Sequence, residues 1–149
     1  MLLLHQACCI HLHRWLHLAG WCCVNKVAMH AIILFAHGSR DPLWHKPIQA
    51  VAQRIAERDT EVLVRCAYLE LTEPDLLHVA NELALAGATS MCVLPLFLGV
   101  GKHAREDLPV LIAQVKTAHP TIAVTCQRAV GEQETLLDLL ADIALKGDA

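Results

Sequence analysis

The sequence predicts an α/β fold: an open four-stranded parallel sheet with helices on both faces. Four short apolar runs alternate with four segments of helical periodicity. The runs have no polar face, which is typical of parallel strands covered on both sides. The strand-helix order repeats four times, which favours right-handed crossovers in a single sheet. Length and composition agree, because 149 residues with 55% hydrophobic and 18% charged side chains are enough for one globular core.

Each predicted strand is a short apolar or β-branched run, and each predicted helix has an apolar stripe. The strands are expected at residues 31–36, 62–69, 91–96 and 122–126. The stripes follow the i, i+3, i+4 spacing of amphipathic helices. They consist of Ile48, Val51, Ala52 and Ile55; Leu76, Ala80, Leu83 and Ala84; Leu108, Leu111, Ile112 and Val115; and Leu136, Leu139, Leu140 and Ile143.

Capping residues mark the expected helix boundaries. Asp41 followed by Pro42 is expected to open the first helix, and Thr72 followed by Pro74 the second. These residue types are favoured at N-caps and in the first helical turn. Gly87 stands where the second helix is expected to end, since glycine is the commonest residue just past a helix.

Residues 1–28 differ from the remainder of the chain. They hold no Asp or Glu, but four of the seven cysteines and four of the ten histidines. Histidines and Arg14 interrupt the apolar run, so a membrane span is not expected. No basic region precedes Leu2, as a signal peptide would require. A metal-binding tail remains an alternative. We predict one domain over residues 29–149 and an extension over residues 1–28 that is non-native or dispensable.

Charge and cysteine usage exclude several classes of protein. The formal net charge of −3 and the lack of a basic cluster argue against a nucleic-acid partner, and no membrane partner is expected. Beyond residue 28, Cys66, Cys92 and Cys126 are single and far apart. This usage indicates the reducing cytoplasm rather than a disulfide framework.

Three side chains with metal-binding chemistry follow successive strands. Thirty-three positions separate His37 from Glu70, and again Glu70 from His103. Because a strand-helix repeat has about this length, the three residues are expected at one rim of the sheet, where ligands bind in such folds. Two imidazoles and a carboxylate suit Co²⁺, Ni²⁺, Fe²⁺ or Zn²⁺. A neutral imidazole also accepts protons near neutral pH.

Neighbouring residues suggest an anionic ligand. Gly99 and Gly101 predict a flexible loop that carries His103 close to the ligand. Positive charge and hydrogen bonds are expected from Ser39, Arg40, Lys102 and Arg105, with Arg128 nearby. A phosphate loop is excluded because His103 stands where that motif requires Ser or Thr.

These motifs resemble a known family. His37-Gly38-Ser39-Arg40, Tyr68-Leu69-Glu70 with Pro74, and the stretch from Leu94 through Gly101-Lys102-His103 to Pro109 are similar to the small sirohydrochlorin cobaltochelatases, which are short class II chelatases. The resemblance runs from about Met29 to the C-terminus. It implies a flavodoxin-like half-lobe and a homodimer, because longer relatives carry two such lobes. It also implies that His37 and His103 bind metal and accept protons, assisted by Glu70. Because sirohydrochlorin is a flat macrocycle, the resemblance further implies an apolar floor, expected among Trp44, Phe97, Leu98 and Val100.

The implied activity is ATP-independent insertion of a divalent metal into sirohydrochlorin, for cobalamin or sirohaem synthesis. The metal, Co²⁺ or else Fe²⁺ or Ni²⁺, is a substrate, and no permanently bound cofactor is expected. Two alternatives stay open at this point. One is a metal-binding or delivery module that uses the same His/Glu set without turnover, and the other is a non-catalytic flavodoxin-like domain.

Overall fold

The computed structural model describes residues 28–147, with only the backbone described at positions 103 and 104. The predicted extension over residues 1–28 therefore lies almost wholly outside the described residues. The elements follow in the order β1 (His30–Ala36), α1 (Lys46–Arg58), β2 (Leu63–Tyr68), α2 (Leu76–Leu85), β3 (Ser90–Pro95), α3 (Lys102–Ala118), β4 (Ala123–Cys126) and α4 (Glu134–Lys146). Two short 3₁₀ helices, Pro42–His45 and Val130–Glu132, precede α1 and α4.

The four strands form one parallel sheet in the order β2-β1-β3-β4. This confirms the predicted fold class, and the strand boundaries agree with the predicted ones to within one or two residues. The order places β1 between β2 and β3. Residues that follow these three strands therefore emerge side by side at the carboxyl edge of the sheet.

The sheet is covered differently on its two faces. One face packs against α2 and α3 and contains the larger cluster, which includes Ile33, Phe35, Val79 and Val115. The opposite face packs against α1 through a smaller cluster of Leu34, Ala36, Ile48 and Tyr68. The amphipathic pattern of α4 predicts a buried helix, but none of its residues is buried.

Two helix openings differ from the sequence prediction. Asp41 accepts a hydrogen bond from the Leu43 amide (2.9 Å), but the turn that it caps is the 3₁₀ helix, and α1 begins only at Lys46. The predicted Thr72 cap is wrong: the chain first makes a loop, and the Asp75 carboxylate caps α2 by accepting from the His78 amide at 2.7 Å.

Gly87 follows the end of α2 and has a φ of +94°, as its predicted role in terminating the helix requires. A separate observation concerns membranes: among residues 28–147, no helix is both long and apolar enough to cross one.

Candidate active site at the carboxyl edge of the sheet

A cavity of about 350 Å³ opens where β1, β2 and β3 end. It is lined by His37, Leu69, Glu70, Gly99, Gly101, Lys102 and Asp107. The cavity therefore brings together residues that follow three neighbouring strands, and three of the predicted site residues are among them: His37, Glu70 and Lys102. Of the three equally spaced residues, His37 and Glu70 line this cavity, whereas the side chain of His103 lies outside the described set.

The backbone joins His37 directly to Glu70. The Glu70 amide donates to the His37 carbonyl at 2.9 Å, and the Leu69 amide donates to the Ala36 carbonyl at 2.8 Å. These bonds continue the β1–β2 pairing beyond both strands. The two side chains are thus held on adjacent strand extensions by main-chain hydrogen bonds rather than by flexible loops.

Gly38 is required by this close approach. The φ of Gly38 is +93°, a backbone conformation that residues with a Cβ disfavour. A Cβ at this position would also collide with the Glu70 carbonyl oxygen. Glycine at position 38 therefore allows the backbone at Glu70 to lie close to the residue that follows His37.

The ring of Phe97 packs against the ring of His37. The two rings have centroids 4.3 Å apart and planes inclined by 36°, and Phe97 itself is only 2% exposed. Phe97 also packs edge-on against Phe35, with ring centroids 5.8 Å apart. The prediction that Phe97 forms part of an exposed floor is therefore corrected: it is a core residue that holds the half-buried imidazole in place.

The third predicted residue, His103, lies in a helix and not in the flexible loop that the glycines suggested. α3 begins at Lys102, so His103 occupies the first helical turn. The residues that extend from the end of β3 at Pro95 bring this turn to the cavity edge. Among the side chains that the structure describes, no group of three His, Cys, Asp or Glu residues is gathered closely enough to hold a metal ion, and the His103 side chain is outside that set.

The residues predicted to bind an anionic ligand, Lys102, Arg40 and Ser39, lie at different positions around the cavity. Lys102 lines the cavity and has Nζ 4.0 Å from Oε1 of Glu106 one helical turn later. Arg40 is exposed just after β1. The Ser39 hydroxyl accepts from the Asp41 amide (3.1 Å), and its carbonyl contacts Nε2 of His45 at 3.0 Å. Ser39 therefore stabilises the turn beside the site.

Arg105 faces a second, smaller cavity of about 170 Å³. The walls of this cavity are mainly apolar, from residues such as Phe97 and Leu108, and its polar lining includes Arg105, Arg128 and Glu132. Arg105 lines this smaller cavity and is not among the residues that line the main one.

Asp107 is a lining residue that the sequence analysis did not select as a functional candidate. It lies four positions after His103 and one turn further along α3, and residues spaced this way share one face of a helix. That spacing is the signal that identifies it. Asp107 therefore adds a second acidic residue, besides Glu70, to the cavity lining.

The described cysteines do not contribute to the site. Cys66, Cys92 and Cys126 are all free thiols, and none lines the main cavity. Burial raises the pKa of the Cys66 thiol, which favours the protonated form over the thiolate that binds metal. Of these three residues, Cys92 is buried, Cys66 is partly buried and Cys126 is exposed.

A family comparison accounts for this arrangement. Residues 31–145 match the model of the CbiX family. The chain belongs to the CbiX family. A CbiX protein of cobalamin (vitamin B12) biosynthesis from Marinobacter aquaeolei, solved by crystallography and given a putative assignment, is 31% identical. It superimposes with a TM-score of 0.68 over 78% of this chain and 93% of its own. The predicted resemblance to small class II chelatases is confirmed.

Other similar proteins are chelatases by name. The sirohydrochlorin cobaltochelatase of Methanococcus aeolicus is 30% identical over 88 residues, which is 59% of this chain and 62% of that relative. The sirohydrochlorin chelatase SirB of Bacillus subtilis subspecies spizizenii, crystallised with cobalt, is 27% identical with a TM-score of 0.65. The match to SirB covers 77% of this chain and 51% of the SirB chain, so this CbiX-family chain corresponds to about half of that protein.

Proposed function

We propose that this CbiX-family protein is a metal chelatase, a lyase that inserts a divalent metal ion into sirohydrochlorin without ATP. The observation that carries the proposal is the pairing of His37 with Glu70 in one cavity at the carboxyl edge of the sheet. The names of its relatives support sirohydrochlorin as the substrate and Co²⁺ as the metal. Fe²⁺ and Ni²⁺ are the alternatives, for either cobalamin or sirohaem synthesis, and no permanently bound cofactor is proposed.

The proposed reaction exchanges two pyrrole protons for one metal ion. Metal–nitrogen bonds form as water leaves the ion, and both N–H protons pass to a base and then to solvent. The His37 imidazole has the chemistry for both tasks, since a neutral ring nitrogen binds divalent metal or accepts a proton. We assign the same role to His103, from the first turn of α3. Together with Glu70 they form the proposed metal set.

Glu70 is proposed to balance charge and orient the imidazole. Its carboxylate is exposed, and its backbone is fixed to His37 by the hydrogen bond described above. A carboxylate beside a histidine stabilises the protonated ring and selects the tautomer that faces the metal. Glu70 is therefore proposed to assist His37 during both metal binding and proton transfer.

The edge around the cavity has the two properties that a carboxylate-bearing tetrapyrrole requires. Trp44 and Leu98 are large apolar side chains that are 40% and 66% exposed near this edge, and they are proposed to contact the flat macrocycle. Lys102, Arg40 and Arg105 are proposed to bind its carboxylates, with Ser39 holding the Arg40 turn. An anionic ligand is attracted to such a rim although the whole chain is acidic.

We also propose that two copies of the chain form the working enzyme in the cytoplasm. The match to only half of SirB supports a homodimer in which each copy supplies one lobe. The three cysteines within residues 28–147 are all free thiols, which supports a reducing compartment. Residues 1–28 are proposed to be dispensable, so a chain that begins at Met29 is expected to keep its activity.

The experiment is a spectrophotometric insertion assay with the full chain, sirohydrochlorin and Co²⁺, without ATP. We expect the absorbance change of metal insertion to be faster than the spontaneous reaction and proportional to protein concentration. A metal-delivery module would bind Co²⁺ and leave the rate at the spontaneous value. If the chain is a non-catalytic domain, the His37→Ala substitution is expected to change no property that depends on metal. Parallel assays with Fe²⁺ and Ni²⁺ rank the metals.

A further inference from the structure

The turn that follows β1 carries Arg40, which is proposed to bind a carboxylate of the substrate. Local hydrogen bonds shape this turn: the Asp41 amide donates to the Ser39 hydroxyl at 3.1 Å, and the Trp44 amide donates to the Asp41 carbonyl at 3.1 Å. Arg40 is exposed within it. The position from which Arg40 reaches a ligand therefore depends on what holds the turn against the sheet.

His45 connects this turn to the sheet. Its Nε2 lies 3.0 Å from the Ser39 carbonyl oxygen, and because a carbonyl only accepts, the ring N–H donates this bond. The same ring packs edge-on against Tyr68, with centroids 4.8 Å apart and planes inclined by 72°. Tyr68 is the last residue of β2 and is 6% exposed. His45 thus joins the turn after β1 to the buried end of β2.

The second ring nitrogen of His45 shows what this side chain contributes. Nδ1 is buried and has no hydrogen-bond partner in the part of the chain that the structure describes. Buried polar atoms are normally paired, so packing alone does not account for a histidine here, because a phenyl ring fills similar space without an unpaired nitrogen. The bond from Nε2 to the Ser39 carbonyl is the contact that a phenyl ring at position 45 would lack.

We propose that His45 is a positioning residue for substrate binding, whose Nε2–H bond holds the Ser39 carbonyl and so fixes the turn from which Arg40 binds a tetrapyrrole carboxylate. The proposal rests on the proposed function, which assigns Arg40 to that carboxylate. An arginine on a loose turn loses more conformational freedom on binding than one on a fixed turn. We therefore expect His45 to affect substrate affinity rather than the chemical step.

The first test removes the hydrogen bond and keeps a ring. His45→Phe can still pack against Tyr68 but has no N–H. We expect the Kd of metal-free sirohydrochlorin, measured by fluorescence titration, to rise roughly fivefold to tenfold, as for the loss of one net hydrogen bond. KM is expected to rise by a similar factor, with kcat changed less than about twofold. A Kd equal to that of the parent chain overturns the proposal.

Two further variants show whether the N–H group is the cause. His45→Gln places an amide N–H near the position of Nε2 and is expected to bind within about twofold of the parent chain. His119→Phe is the matched control, because the His119 ring is hydrogen-bonded to Asn81 (2.9 Å) but lies between α3 and β4 and outside the cavity lining. If His45→Gln binds as weakly as His45→Phe, or if His119→Phe weakens binding equally, the proposal is wrong.

The second test determines whether His45 acts through Arg40. Arg40→Ala is expected to raise the Kd roughly tenfold, as for the loss of one charge-assisted contact. Adding His45→Phe is expected to raise it less than about twofold further, because the residue that His45 positions is already absent. Effects of independent residues multiply, so a double variant weakened roughly 50-fold or more contradicts the proposal.

The circular dichroism and urea midpoint of each variant are recorded as controls for folding. If His45→Phe does not fold, His45→Met replaces it in both tests, and if both unfold, His45 is a core residue and the proposal fails. Binding is measured without metal, so the two proposals are distinguishable. A parent chain that binds sirohydrochlorin but inserts no metal contradicts the proposed function alone. Normal insertion with unchanged binding in His45→Phe contradicts the positioning role alone, and a parent chain that does not bind sirohydrochlorin overturns both.

Discussion

The two sides of the candidate site are built in different ways. On the β1–β2 side, main-chain hydrogen bonds connect His37 to Glu70, and Gly38 sits where no side chain fits. On the β3–α3 side, an added Cβ at Gly99 or Gly101 would meet no atom within 4 Å. One side is fixed by the sheet itself, and the other is an open segment that leads into a helix.

The difference matches the tasks that we propose for the two sides. A metal ligand needs a fixed position, and the sheet and the buried ring of Phe97 hold His37, the proposed ligand, in place. The β3–α3 side is proposed to contact the large flat substrate. Open space around the backbone and a positive charge at the start of α3 suit that contact. We therefore interpret the β1–β2 side as the rigid half and the β3–α3 side as the adaptable half of the site.

The largest expected effect is at the rigid half. His37→Ala is expected to lower the rate of metal insertion roughly 1000-fold, because loss of a positioned base costs about 10²- to 10⁴-fold. The circular dichroism spectrum and urea midpoint are expected to change little. His78→Ala, at an exposed histidine of α2, is the matched control. Equal rates for His37→Ala and the parent chain would remove this residue from the mechanism.

Glycine substitutions compare the two halves directly. Gly38→Ala is expected to lower the free energy of unfolding by about 3 kcal/mol, through backbone strain and collision with the Glu70 carbonyl. Gly99→Ala is expected to change it by less than about 1 kcal/mol, since its surroundings are open. Urea denaturation of both variants measures the difference. Similar stabilities would show that the β1–β2 side is no more constrained than the other.

Glu70→Gln tests whether the carboxylate charge assists the imidazole. We expect a loss of roughly 10- to 100-fold in insertion rate with unchanged stability, because the side chain is exposed. Glu61→Gln, at an exposed position before β2, serves as the control for loss of one negative charge. If both variants retain the parental rate, the role of Glu70 is confined to its backbone.

Phe97→Leu is expected to give the smallest effect on activity. Loss of ring contacts should reduce stability by about 1 kcal/mol and lower kcat a fewfold with KM unchanged, since His37 loses its support. Phe35→Leu removes the same Phe35–Phe97 contact but leaves the ring under His37. A kcat reduction of equal size in both variants would mean that Phe97 acts only through general stability.

The sequence was sufficient to predict the elements of the fold but not all of their partners. Apolar runs and equal spacing identified the four strands and the convergence of His37 with Glu70, because continuous apolar runs and repeat length are visible in the sequence itself. The Asp75 cap and the helical position of His103 were missed, since turn residues and glycines are compatible with several backbone paths. The stripe on α4 predicted an amphipathic helix correctly, but which surface covers such a stripe is not encoded in its periodicity.

The central claim is that groups following neighbouring strands act together on one metal ion. The most direct test compares Co²⁺ insertion rates of His37→Ala, His103→Ala and the double variant. Residues that act as one unit have non-additive effects, so the double variant is expected to match the slower single variant within about threefold. Two losses of roughly 1000-fold that multiply to about a million-fold would show that the two histidines act independently, and would contradict the account.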